Sequence, residues 1–163
     1  MLRLLSILVL TLTVAACTTT EPDGQAQQLT LKELTEAPGY AWFPAEMATY
    51  SPRDMYVQQV SSGFRTDSQK VCVFVKPSCS CTGTQKLFPQ IMKTLIASGV
   101  DMDRVEIWSM RSESDGQPYS SIIQIQDLPE IWIVENGQPF SQVQEAGYNL
   151  ANADSLIAEA FVP

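Results

Sequence analysis

The order of apolar patterns predicts a mixed α/β sandwich, with a central sheet and helices on both faces. Three observations carry that expectation. Val71-Cys72-Val73-Phe74-Val75 is a continuous β-prone apolar run, as in a strand buried on both faces. Leu87, Ile91, Leu95 and Ile96 then share one helical stripe, and Val105-Glu106-Ile107-Trp108-Ser109-Met110 returns to a strand pattern. Ile131-Trp132-Ile133-Val134 leads into Glu135-Asn136-Gly137-Gln138 and a second run from Phe140 to Gln144. Asn-Gly tolerates positive φ, so this reads as a hairpin.

The remaining elements follow in chain order. Met1-Leu2-Arg3 and the apolar run from Leu4 to Ala16 have the layout of a secretion signal, with a positive start and a short greasy stretch. A spanning helix needs about 20 apolar residues, more than this run supplies. Thr18 to Gln28 is polar and without period, and reads as a tether. The expected division is a signal over 1–16, a tether over 17–37 and one domain over 38–163. Tyr40 to Tyr50 is aromatic and irregular; Trp42 and Phe43 either cap the sheet or line a groove.

Ser51-Pro52-Arg53-Asp54 supplies an N-cap, a first-turn proline and a first-turn acid, so a helix is expected from Pro52 to Ser61. The helix after Thr84 should be kinked by Pro89 and stopped by Gly99. Arg111 to Tyr119 is a polar loop, and Ser120 to Gln126 fits either a short helix or a strand. Trp108 and Trp132 are expected in the core. Asp154 to Phe161 closes the chain as a helix, with Leu156, Ile157 and Phe161 inward.

Composition removes several functions. The chain carries 10 Lys+Arg against 18 Asp+Glu, a net charge of −8, which disfavours nucleic acid and electrostatic docking on anionic lipid. It has 0 histidines. That excludes a Ser-His-Asp triad, a Cys-His pair and any histidine-ligated metal site. Carboxylates, hydroxyls and thiols remain.

The thiols are the informative group. Cys72 sits mid-strand as a small buried apolar residue, or alternatively as a resolving thiol exposed by local opening. Cys79-Ser80-Cys81 lies where the buried strand gives way to the helix. Unpaired N–H groups at a helix start stabilise a thiolate, the nucleophile of disulfide exchange. Lys76 and Lys86 add positive charge nearby.

Two family resemblances follow from these residues. Val14-Ala15-Ala16-Cys17 resembles the lipobox of bacterial lipoproteins. This implies a lipid on Cys17, a membrane anchor and an envelope location facing the periplasm. Thr18 is not the aspartate of an inner-membrane retention signal, which points to the outer membrane.

From Lys70 to Val162 the chain resembles the thioredoxin superfamily. The shared features are a strand, then cysteines, then a proline-kinked helix; Leu128-Pro129 before a strand; and the Asn-Gly hairpin with a closing helix. The resemblance implies a three-layer α/β/α sandwich with a central mixed sheet. It also implies a cis-proline at Pro129 that faces the reactive sulfur and holds an extended substrate segment.

The departure is at the motif, Cys-x-Cys in place of Cys-x-x-Cys. Counted from the strand, Cys79 takes the first-cysteine position. Counted back from Pro89, Cys81 takes it and Thr84 occupies the resolving position. The second register is favoured, with Cys81 attacking and Cys79 as its partner. A Cys79–Cys81 bridge closes a smaller ring than the usual one, which suits an oxidant or isomerase.

The expected activity is a membrane-anchored thiol–disulfide oxidoreductase. Its partners would be exported cysteine-containing proteins and a redox partner that resets the thiols, with no cofactor. Two alternatives stand beside it: a Cu(I) carrier using Cys79 and Cys81, and a binding module in which the bridge is a static staple.

Overall fold

The computed structural model describes residues 24–143 and 145–162. The signal over 1–16, Cys17 and the first part of the tether lie outside them. Among the described residues, no helix is long and apolar enough to cross a membrane.

Five strands form one mixed sheet in the order β1-β3-β2-β4-β5. They are β1 (Gln27–Leu29), β2 (Gln69–Val75), β3 (Val105–Ser109), β4 (Glu130–Glu135) and β5 (Gln138–Val143). β2 runs parallel to β3 and antiparallel to β4, while β1 and β5 pair antiparallel at the two edges. Five helices accompany them: α1 (Leu31–Glu36), α2 (Phe43–Thr49), α3 (Asp54–Gly63), α4 (Phe88–Ala97) and α5 (Ala153–Ala160).

The folded body begins earlier than the boundary at 38. Gln27 and Gln28, read as tether, pair with Ser109 and Trp108 as an edge strand. An edge strand with one solvated face needs little apolar pattern, so the polar composition concealed it. Thr30 and Glu33 then cap α1 reciprocally: the Glu33 N–H donates to Thr30 Oγ1 at 3.1 Å, and the Thr30 N–H to Glu33 Oε2 at 2.8 Å.

The segment from Tyr40 to Tyr50 is also more regular than its composition suggests. Phe43, Met47 and Tyr50 recur at helical spacing, and Pro44 opens α2 where a missing N–H costs nothing. Phe43 is buried against Phe88 of α4, with Trp42 edge-on to it and to Tyr40. α3 starts two residues later than expected because Arg53 is held extended, its backbone N–H and guanidinium both bonded to Asp154.

The two faces of the sheet are covered differently. Val71, Val73 and Val75 face a large core that holds the buried apolar residues of all five helices. Cys72, Phe74 and Val134 face a smaller cluster built from Met110, Ile123, Ile125 and Leu128. No described helix lies on that second face, which corrects the expected three layers. The connection from β3 to β4 contains Gly116 and Pro118 and is held by loop contacts instead. Asp115 accepts from the Arg111 and Ser112 N–H groups, and the Ala26 N–H donates to Gly116 at 2.9 Å.

Ser120 to Gln126 is thus neither helix nor strand. Trp108 and Trp132 are half-buried against this smaller cluster rather than fully in the core. Ile96 points outward, 38 % exposed, because the burial stripe of α4 runs through Leu87, Ile91, Met92 and Leu95. Gly99, at φ +70°, ends α4 with the Val100 N–H on the Leu95 carbonyl.

Asp154 is the main polar tie on the helical face. Burial alone would raise its carboxyl, but bonds from the Arg53 guanidinium, the Arg53 N–H and the Ser155 N–H hold it below the ordinary range. Its contribution is complete above the unfolded pKa and disappears as pH falls through the lowered folded value. Asp154→Ala strands these donors and should cost roughly 2–3 kcal/mol, read as a lower urea midpoint at unchanged slope.

Candidate functional site

The site forms where β2 leaves the sheet. Val75 is its last residue, and the chain then turns through Lys76-Pro77-Ser78, with Ser78 at φ 57°. An N-terminal turn at Pro38–Tyr40 fixes this exit. Tyr40 Oη bonds Ser109 Oγ at 2.9 Å and the Val75 carbonyl at 3.3 Å, while the Ser78 N–H donates to the Gly39 carbonyl at 2.9 Å. A Cβ on Gly39 would stand 2.8 Å from Pro77 Cβ, so only glycine allows this approach. Nothing in the thiol motif pointed to this clamp; the Pro38-Gly39-Tyr40 turn triplet was its only sequence signal.

Cys79 and Cys81 are joined in a disulfide with 5.4 Å between their Cα atoms, and both are half-buried. The Cys81 N–H points at Cys79 Sγ, 3.2 Å away. Cys81 Sγ lies 3.9 Å from the Leu128 carbonyl oxygen, and the Leu128–Pro129 bond is cis. The expected neighbours Cys79, Cys81 and Pro129 are therefore brought together. Gln85 closes the loop from its other side, donating from Nε2 to the Cys79 carbonyl at 3.1 Å.

Helical structure resumes as a π-type turn, Gly83–Leu87, that runs directly into α4. Thr84 lies in this turn. It is 0 % exposed, and its Oγ1 makes no hydrogen bond. Lys86 is tied to Glu46 of α2 rather than directed at the sulfurs.

Beside Pro129 runs a groove of about 490 Å³ whose walls include Ile122, Asp127, Pro129, Glu130, Trp132 and Glu145. Two of its acids are held above the ordinary carboxylate range. For Glu130 the first cause is burial, partly offset by bonds from the Gln126 N–H and the Gln142 side chain. For Glu145 the causes are burial and the nearby Asp127 charge, partly offset by the Gly83 N–H. A Cβ on Gly83 would fall on the Glu145 carboxyl group.

Cys72 is on the opposite side of β2 from the helices and is fully buried. Burial pushes its thiol up to about 12, against a weaker opposing effect of the Tyr119 hydroxyl. Tyr119 in turn donates to Glu106, which pairs with Lys70 at 2.7 Å. Among the described residues, no three or more His, Cys, Asp or Glu side chains gather as a metal cluster.

Comparison with protein-family models, curated proteins and solved structures finds no match to this chain.

Two outcomes follow. After reduction, Cys79 and Cys81 should react with iodoacetamide in the folded protein while Cys72 stays unmodified until denaturant is added, as peptide mass mapping will show. Glu145 favours the protonated folded state, so its effect on stability is best below the unfolded pKa and declines as pH rises through the raised folded value. Glu145→Gln should therefore flatten the fall in Tm between about pH 4 and about pH 7.

Proposed function

We propose that this domain is a thioredoxin-like thiol–disulfide oxidoreductase of the bacterial envelope, anchored by lipid on Cys17. It acts on cysteines of other exported proteins as an oxidant or isomerase. The observation that carries this reading is the half-buried Cys79–Cys81 bridge at the end of the central strand, with Cys81 Sγ against the Leu128 carbonyl just before Pro129. The element order supports it too. Strand, cysteines, proline-bearing helix, strand, Pro129, hairpin and helix follow one another as the resemblance requires. The connection between β3 and β4 departs from it in carrying no helix.

The chemistry follows from the sulfur geometry. A substrate thiolate attacks Cys81 Sγ, the Cys79–Cys81 bond breaks, and Cys79 leaves as a thiolate. The Cys81 N–H, already aimed at Cys79 Sγ, accepts that charge as a hydrogen-bond donor. A second substrate thiolate then displaces Cys81 from the mixed disulfide. The substrate pair has become a disulfide, and the protein holds two electrons as two thiols. A separate thiol-oxidising partner removes those electrons for the next turnover. The groove beside Pro129 gives an extended substrate segment a place to lie along the site.

Replacing the two cysteines separately by serine tests this. Cys79→Ser leaves Cys81 without its partner and should accumulate mixed disulfides with envelope proteins, visible on non-reducing gels. Cys81→Ser should accumulate few. A bridge that stays closed in a fully reducing glutathione buffer, with no trapped partner in either variant, would mark a static staple and end the redox reading.

A further inference from the structure

Resting on that redox reading, we propose that Thr84 is a positioning residue for the reduced site, its hydroxyl donating to the Cys81 sulfur once the bridge opens. The starting observation is the buried, unbonded Oγ1. Hydroxyls inside helices ordinarily bond back to a carbonyl one turn earlier. Two others in this same helical stretch do so: Thr94 Oγ1 to the Gln90 carbonyl at 2.9 Å, and Ser98 Oγ to the Thr94 carbonyl at 2.8 Å.

Thr84 does not, although the Cys81 carbonyl one turn back is held in a helical bond by the Gln85 N–H at 3.0 Å. A buried donor left without an acceptor is destabilising, and opening the bridge would supply one. Cys81, whose carbonyl the Gln85 N–H holds, heads the same turn three residues before Thr84, so its sulfur is the acceptor this proposal assigns to the hydroxyl. In the bridged form that sulfur is spent in a disulfide and accepts weakly. As a thiolate it becomes a charged acceptor, and the bond to Thr84 becomes charge-assisted.

The redox step balances as follows. Two glutathione thiols each lose a proton and supply one electron, and they close their own disulfide. The Cys79–Cys81 bond breaks and accepts both electrons. One protein sulfur takes up a proton and Cys81 remains as the thiolate, the second proton going to solvent. Because Thr84 stabilises only the reduced side, it makes the protein a stronger oxidant.

The test compares the full chain with its Thr84→Val and Thr84→Ser variants in graded glutathione buffers, and follows Cys81 ionisation by thiolate absorbance. Thr84→Val should make reduction about tenfold less favourable, ~30 mV more negative for a two-electron couple. It should also raise the Cys81 pKa by about one unit. Thr84→Ser should restore both. The same Val variant should leave the bridged form as stable as wild type or more so, because a methyl replaces an unpaired hydroxyl. A purely structural role would shift both redox forms alike. If the valine methyl is not accommodated, Thr84→Ala reads the same two quantities.

Wild-type values of potential and ionisation in Thr84→Val would overturn the assignment while leaving the redox reading intact. A wild-type bridge that no glutathione buffer opens would overturn both.

Discussion

Strand β2 has neither a free edge nor a free face. Its backbone is paired with β3 on one side and β4 on the other, and six of its seven residues are buried. Such a strand cannot shift register by one residue, since doing so would exchange Val71, Val73 and Val75 with Cys72 and Phe74 across the sheet. The position at which the chain leaves the sheet is therefore fixed, and so is the position of the first sulfur. The Tyr40 hydroxyl and the Gly39 carbonyl then hold the exit itself. A segment thirty-odd residues earlier in the chain thus sets the aim of the cysteine loop.

The two covers of the sheet meet at the disulfide. Cys81 leads into the helical layer, whereas Leu128 and Pro129 are the last residues of the loop that covers the opposite face. A sulfur placed on this seam sits against the Leu128 carbonyl and remains half-exposed. The asymmetry also separates the thiols. Cys72, mid-strand on the loop-covered face, is fully buried, while Cys79 and Cys81 remain half-exposed. The same residue type is given different exposure by its place within or just beyond one strand.

What the sequence made legible was whatever rests on strong local pattern. The run at 71–75, the stripe through Leu87, Ile91 and Leu95, and the Asn136-Gly137 turn each appear in the structure where periodicity and positive φ demanded them. The pairing of Cys79 with Cys81 was one of two registers the motif allowed, and the nearness of Cys81 to Pro129 was what the family resemblance implied. What was hidden depends on contacts between distant residues. β1 is a polar edge strand whose identity comes from Trp108 and Ser109, and the delayed start of α3 comes from Asp154, 101 residues away. The missing layer on the second face was hidden for a related reason. A loop stabilised by Asp115 and by backbone contacts to 24–26 has no period to read.

The form of the site itself traces to one imino acid. Pro89 has no N–H to donate, and in a straight α-helix its ring would press on the Gln85 carbonyl. The helix answers by widening just before it: the Phe88 N–H reaches back five residues to Gly83, making the π-type turn. The Gly83 N–H, a first-turn donor with no intrahelical partner, meets the Glu145 carboxyl group. Thr84 follows it in the turn, buried with its hydroxyl unbonded, and the Gln85 N–H holds the Cys81 carbonyl. Proline at this position therefore does more than bend a rod. It sets a widened turn just after the two cysteines, where first-turn donors have no intrahelical partner.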